Sequence, residues 1–351
     1  MSVFYCYLCD ALNEKNTMQS SEKPFVSIIM PVYNASRFLA RSVGSVIGQS
    51  CGDFELLCFN DASTDDSLDV LRRMAAADSR IRVIDSAVNI KQGGGRNRCL
   101  REARAEFVMF LDADDWLRPD AVELCRRCVR ETGADAVFYD YVNVEQSTGR
   151  QSPYSQLGED AESLDAEGLR RRIALRQSSI CTTMYARRLF EPLGLMFPEG
   201  VFYEDNAIAM AVQLSAEHPV KINESLYFYR VDNTSVTRST DNYHFFDRIG
   251  SAVTLLGHLK RLGIYERYRD EIDNVFIHQY FIHTVAGCIY RFTKLPYERV
   301  KEVREGISEY VPGYRSNRYY RALPLSRRLR IELNARFPRL IHSLAGIMKK
   351  R

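Results

Sequence analysis

Long apolar runs are missing from this 351-residue sequence. No stretch approaches the ~18–20 uninterrupted apolar residues that a membrane-spanning helix needs, so a polytopic membrane protein is excluded. The apolar start, Met1 to Leu12, lacks a basic flank and a small-x-small cleavage site, and no secretory signal is expected from it. Internal repeats and low-complexity blocks are also missing. With 46% hydrophobic and 26% charged residues, the composition is that of an ordinary globular protein rather than a disordered or collagen-like chain. Neither the Walker pattern nor G-x-G-x-x-G occurs, which removes two common nucleotide-binding loops. The six histidines form no metal set; His278 and His283 lie five apart on one helical stretch, a spacing that does not align them on one α-helical face.

Charge of one sign is scarce except at one end. The net charge is +3, yet residues 321–351 hold nine Lys and Arg against one acid, Glu332. The remaining 320 residues carry 39 basic and 44 acidic side chains, which disfavours nucleic acid as a partner of the main body. Nine cysteines, an odd number scattered through apolar segments, fit a reduced cytosol better than a disulfide framework. Two C-x-x-C pairs, Cys6/Cys9 and Cys125/Cys128, would together make a zinc site. The second pair, however, sits in a helical pattern with no nearby His or Cys.

The length allows one large domain or two, at ~100–200 residues each. Residues 1–22 match no pattern and read as an extension, with Met18 a second candidate start. From Pro24, strands are expected at Phe25–Met30, Phe54–Phe59, Ile81–Ile84, Phe107–Leu111 and Ala136–Tyr139. Helices are expected between them at Ser36–Gln49, Asp65–Ala77, Gly95–Ala105 and Pro119–Glu131. This alternation predicts a parallel, doubly wound α/β sheet that binds ligands beyond the carboxyl ends of its strands. Past Gly149 the pattern is mixed, with strands at Ser178–Tyr185 and Leu226–Arg230 and a helix at Asp205–Ala216. From Tyr243 it is nearly all helix. The expected organisation is an extension (1–22), a catalytic domain (23–240) and a helical region with a basic tail (241–351).

Four segments carry chemistry. Asp112-Ala113-Asp114-Asp115-Trp116 follows a strand directly. Three carboxylates in four residues repel, and Mg²⁺ or Mn²⁺ would relieve them, since these ions take one or two carboxylates plus substrate phosphates. The plainer reading is an acidic turn capping the next helix. Asn60 to Ser67 holds Asp61 after an apolar run, while Ser63 or Thr64 reads equally well as a helix cap. Asn89 to Asn97 contains Gly93-Gly94-Gly95-Arg96, either a backbone cradle with an arginine fork for an anion or base edge, or a flexible turn. Tyr203-Glu204-Asp205-Asn206 opens a helix, where an acid commonly only favours the helix terminus.

Together P-F-V-S-I-I-M-P-V-Y-N (Pro24–Asn34), N-D-A-S-T-D-D-S, G-G-R-N-R-C-L, F-V-M-F-L-D-A-D-D-W and Y-E-D-N resemble glycosyltransferase family 2, with the GT-A fold, over about Pro24 to Arg238. The resemblance implies transfer of a sugar from a nucleotide-diphosphate donor to an acceptor hydroxyl, with inversion. It sets Pro31, Tyr33 and Asn34 beside base and ribose, Asp61 on the base, and Arg96 near base and diphosphate. Asp112, Ala113 and Asp114 match the D-x-D element. Asp114 would be the direct ligand of Mn²⁺ or Mg²⁺, Asp112 would face the ribose or a metal-bound water, and Asp115 would share the metal. Asp205 matches the general base, with Glu204 its neighbour. Arg230 and Arg238 are candidate diphosphate contacts, surface arginines being the plainer reading. Asn60-Asp61-Ala62 departs from a common Asp-Asp-Gly, and Gly93-Gly94-Gly95 from a frequent Ser or Ala. Both departures touch the base preference, expected to be uridine.

The processive-synthase Q-x-x-R-W signature is absent, so a polymerising enzyme of cellulose or chitin type is disfavoured. The expected role is assembly of a bacterial surface polysaccharide or lipopolysaccharide on a glycan or lipid-linked acceptor, in the cytoplasm. A sugar-nucleotide nucleotidylyltransferase would want a Gly-rich, basic signature after the first strand, which Met30–Asn34 lacks. A catalytically dead nucleotide-sugar-binding scaffold would not need the acids at Asp61, Asp112, Asp114 and Asp205. In the tail, Leu325, Leu329, Leu333 and Phe337 recur every fourth residue among arginines, and Leu340 to Met348 resumes the pattern after Pro338. Such a segment either lies in an anionic lipid interface, peripheral to the inner face of the plasma membrane, or packs on the catalytic domain.

Overall fold

Val26-Ser-Ile-Ile-Met-Pro-Val32 is buried along its whole length, as a strand covered on both faces must be, and forms β1 (Val26–Val32). The computed structural model describes residues 23–176, 179–191, 194–231 and 240–349. After β1 come α1 (Ser36–Ile47), β2 (Phe54–Asp61), α2 (Ser67–Ala77), β3 (Ile81–Ser86), α3 (Lys91–Glu102) and β4 (Phe107–Phe110). β2 and β4 flank β1 in parallel and β3 extends the sheet beyond β2, so this half has the expected doubly wound form. α1 seats Leu39, Val43 and Val46 on the sheet, an apolar stripe at helical spacing.

The three glycines are not a turn. They lie in the first turns of α3, which begins four residues before the expected start at Gly95. A Cβ on Gly94 would stand 2.7 Å from the Ile90 side chain, and one on Gly95 2.8 Å from the Phe59 ring. Their helix propensity is poor, by about 1 kcal/mol each, but a side chain at Gly95 would meet Phe59 of β2 and one at Gly94 would meet Ile90.

The second half is mixed. It comprises β5 (Trp116–Leu117), α4 (Ala121–Thr132), β6 (Ala136–Glu145), β7 (Gln151–Tyr154), α5 (Ala166–Leu175), β8 (Thr183–Ala186), α6 (Ala209–Leu214) and β9 (Pro219–Val231). The sheet order is β3-β2-β1-β4-β8-β6-β9-β5, with β7 on β6. β8 runs antiparallel to β4 and β6, and β5 antiparallel to β9. The strand expected from Ser178, a residue outside those described, is a short 3₁₀ turn (Ile180–Thr182) leading into β8. The helix expected over Asp205–Ala216 divides into a 3₁₀ turn (Asp205–Ala207) and α6.

The helical region holds α7 (Asp247–Arg261), α8 (Arg269–Phe276), a π-helical turn (Ile277–Ile282), α9 (His283–Tyr290), α10 (Tyr297–Tyr310), α11 (Arg318–Ala322), α12 (Leu325–Arg336) and α13 (Pro338–Lys349). Its buried side chains, Leu255, Ile272 and Phe281 among them, continue the core of the sheet without a break. The π turn corrects the reading of the histidines: with i→i+5 winding, His278 and His283 share a face, ring centroids 5.7 Å apart. Burial lowers the pKa of both, that of His283 to about 4. Among the described residues no three His, Cys, Asp or Glu side chains converge as a metal set. Cys125 and Cys128 are buried free thiols, while Cys6 and Cys9 lie outside the described residues. No described helix is long and apolar enough to cross a membrane.

Candidate active site

The order β2-β1-β4 sets three carboxyl ends side by side. A cavity of about 520 Å³ opens at this rim. Pro31, Tyr33, Asn34, Asp61, Asp112, Ala113, Asp114 and Arg230 all line it, so most of the expected donor residues converge. Arg238 lies outside the described residues. Asn34 does not aim its amide oxygen at a ligand. Asn34 Oδ1 accepts from the backbone N–H groups of Thr64 (2.7 Å) and Asp65 (3.3 Å), and Ser63 Oγ accepts from Asn34 N. The first two loops are thus braced together, and neither Ser63 nor Thr64 caps α2, whose N-cap is Asp66. Asp61 Oδ1 accepts from Ile90 N at 2.7 Å. Burial raises the Asp61 pKa against that bond and the one from Lys91 N–H.

The acidic turn sorts its carboxylates into different tasks. Asp115 is 1% exposed and does not line this cavity: its oxygens accept from Tyr227 Oη (2.5 Å) and the Arg230 N–H (2.7 Å). That geometry replaces the expected metal-sharing role with an anchoring one. Asp114 faces the cavity and meets Arg230 Nη2 at 2.9 Å, while the Arg230 guanidinium also lies over the Phe38 ring at 4.2 Å. Burial, then the charge of Asp112, raises the Asp114 pKa, with Arg230 opposing. Asp112 takes Arg96 Nη2 on Oδ1 at 2.8 Å, and its other oxygen accepts no hydrogen bond from a described residue. Two adjacent cavity-facing carboxylates are an oxygen donor pair of the kind that Mg²⁺ or Mn²⁺ takes together with phosphates.

Arg96 is the hinge of the arrangement. It is 2% exposed and its fork spans Asp112 and Glu204, the latter at 2.5 Å. The guanidinium expected beside a diphosphate instead ties α3 to Asp112 and to Glu204, the latter 108 residues further along the chain. The motif around it docks a loop: Asn97 Nδ2 donates to the Phe197 carbonyl (2.8 Å) and Asn97 Oδ1 accepts from Phe197 N (2.9 Å). A Cβ on Gly93 would stand 2.2 Å from the Pro198 carbonyl oxygen and 3.1 Å from Glu204 Cγ.

A second compartment of about 410 Å³ shares Gln92, Asp112, Phe202, Glu204 and Tyr229 with the first. Glu204, 4% exposed, closes the wall between them. Asp205 lines only the second, and no described side chain forms an ion pair with it. Burial raises the pKa of both acids, with Arg96 pulling the other way. The sequence reading missed Tyr141, Gln156, Thr182 and Tyr227 here. Tyr227 alone had a signal, a hydroxyl in an apolar strand that requires a partner; it donates to Asp115 and accepts from Asp112 N at 3.2 Å.

Backbone strain gathers at the same place. Asn34, Ala62, Lys91 and Tyr203 hold positive φ, and each lines a compartment or adjoins Asp61. At φ 56° Ala62 occupies a position natural to glycine, so the departure noted in the sequence places an alanine in a strained conformation. Ala62→Gly is expected to stabilise the protein by about 1 kcal/mol in guanidinium unfolding, with UDP affinity unchanged. A destabilised variant would show that the strain is not relieved there.

Residues 27–194 match the family described as glycosyl transferase family 2. The chain is 27% identical over 260 residues to the glycosyltransferase GlyA of Streptococcus pneumoniae serotype 4, covering 69% of this chain and 37% of that protein. It is 26% identical over 223 residues to the glycosyltransferase GlyG of the same organism, covering 61% of this chain and 73% of that one. The crystal structure of S. aureus TarS 1–349 in complex with UDP superposes with TM-score 0.67 at 19% identity, over 93% of this chain and 91% of that one. That likeness shows the fold to be of the GT-A kind.

Proposed function

We propose that the chain, whose residues 27–194 match glycosyl transferase family 2, acts as such an enzyme and moves a sugar from a UDP-sugar to an acceptor hydroxyl, with inversion, in the synthesis of a surface polysaccharide. The observation that carries the reading is the pair of compartments meeting at Asp112 and Glu204, with Asp205 facing only the second. The donor occupies the first compartment, with Asp61 and the braced loops around the base and Asp114 and Arg230 toward the diphosphate. TarS has been crystallised with UDP and with UDP-GlcNAc, which favours uridine among the bases.

Asp205 takes the proton of the acceptor hydroxyl, a poor nucleophile until it is deprotonated. A single displacement needs the base on the face of the sugar opposite the leaving group, and the divided cavity supplies two faces. Asp112 and Asp114 would hold Mn²⁺ or Mg²⁺, which when bound supplies Lewis-acid stabilisation of the departing diphosphate. Arg96 fixes Asp112 and Glu204 relative to one another, and Asp115, through Tyr227, holds the turn that presents the other two acids.

A panel of UDP- and GDP-sugars assayed for hydrolysis with and without Mn²⁺ tests the donor class. Asp114→Ala is expected to weaken UDP binding in Mn²⁺ by about ten-fold or more, at least ~1.4 kcal/mol by calorimetry, and to leave binding in chelator unchanged. Equal affinities in Mn²⁺ would reject the ligand role of Asp114.

A further inference from the structure

The two tail helices bury one face and leave another bare. Ile331, Asn334 and Ala335 of α12 are buried, and both helices pack against α9. On the outer side, Leu325, Leu329, Leu333 and Phe337 are 63%, 53%, 47% and 46% exposed. Leu340, Leu344 and Ile347 continue the face on α13. Among the described residues, every exposed leucine, isoleucine and phenylalanine lies on these two helices. Soluble surfaces scatter such residues singly, so a contiguous run marks an interaction surface.

Charge decides the occupant. Arg327, Arg330, Arg336 and Arg339 stand exposed around the apolar face. The one acid of the tail, Glu332, is already held by Arg315 at 2.6 Å and by Tyr320 at 2.8 Å. A groove of about 540 Å³ opens beneath Leu329, Leu333 and Phe337, with Phe281, Arg304 and Arg336 among its walls. A second copy of the chain, meeting this face across a two-fold axis, would set arginine against arginine. An anionic surface with an apolar interior matches both features.

We propose that the outer face of α12 and α13 docks on an anionic lipid bilayer, its leucines entering the acyl boundary, its arginines on headgroup phosphates, and the groove admitting one anionic lipid. The face lies outside both compartments, so docking and sugar transfer stand or fall separately. It also joins the two readings of the tail: one side packs on the protein and the other meets lipid.

The full chain is tested by sedimentation with phosphatidylcholine vesicles with and without phosphatidylglycerol. Binding is expected only with phosphatidylglycerol, and it should weaken at high salt. Arg330→Gln/Arg336→Gln should weaken it about five-fold per arginine. Leu329→Gln/Leu333→Gln/Leu344→Gln should abolish it while leaving the thermal melt and donor hydrolysis in solution unchanged, since all three side chains are already exposed. Absence of binding to anionic vesicles overturns the proposal, as does undiminished binding by the leucine variant. A vesicle-free dimer in ultracentrifugation that the leucine variant dissolves also overturns it, assigning the face to a second copy.

Discussion

Asp205→Asn is expected to lower kcat by about two to four orders of magnitude while leaving the affinity for UDP nearly unchanged. The amide keeps the shape of the carboxylate but cannot accept the acceptor's proton. UDP binding is spared because Asp205 lines only the second compartment. Burial raises the Asp205 pKa, Arg96 opposes and Asp112 adds to the rise. A base acts only when ionised, so kcat/KM should fall as pH drops through a value above the ordinary aspartate range. The variant should lose that limb of the profile. Full transfer activity in Asp205→Asn would reject the assignment. Glu204 is the weaker candidate, since Arg96 already occupies its carboxylate at 2.5 Å.

Arg96→Met is expected to destabilise the fold by about 3–5 kcal/mol, measured by guanidinium unfolding, and to abolish UDP binding. Removing the guanidinium leaves the buried Glu204 without its partner and beside the acids Asp112 and Asp205, and frees Asp112 from the orientation that points it into the donor cavity. Arg96→Met/Glu204→Gln should recover part of the stability, since the uncompensated buried charge is then gone, but not the binding. A purely structural salt bridge would let binding return with stability. Arg96→Lys should fail as well, because an ammonium cannot span two carboxylates as a planar fork does.

The parallel half of the sheet was legible because its strands are continuous apolar runs divided by amphipathic helices, a local pattern. The acids at the strand ends were legible for the same reason, since the topology puts whatever follows β1, β2 and β4 on one rim. The second half was not. β8 and β9 find their partners through distant pairings, and β9 extends seven residues before the expected Leu226 because its first part pairs with β6 despite the polar Asn223 and Glu224. Gly93 to Gly95 read as a turn because propensity is a local quantity, whereas their reason is the Ile90, Phe59 and Pro198 atoms crowding them. The Arg96–Glu204 pair left no trace in spacing, its members being 108 residues apart. Asp115 looked equivalent to Asp112 and Asp114 in sequence, and its distant partners, Tyr227 Oη and the Arg230 N–H, set it apart.

The π turn at Ile277–Ile282 acts as a phase shifter for the rest of the helical region. Each residue of an α-helix advances about 100° around the axis, so winding one extra residue into a turn rotates everything downstream relative to everything upstream. Thr284, Val285 and Cys288 owe their inward direction to that added residue. Winding the same six residues as regular α-helix would turn those three by about 100° about the axis, whereas deleting one amino acid from the turn gives regular winding and leaves them facing inward. Random deletion libraries should therefore find this short tract more tolerant of a one-residue loss than the buried helices on either side, where a deletion turns every later side chain by about 100°.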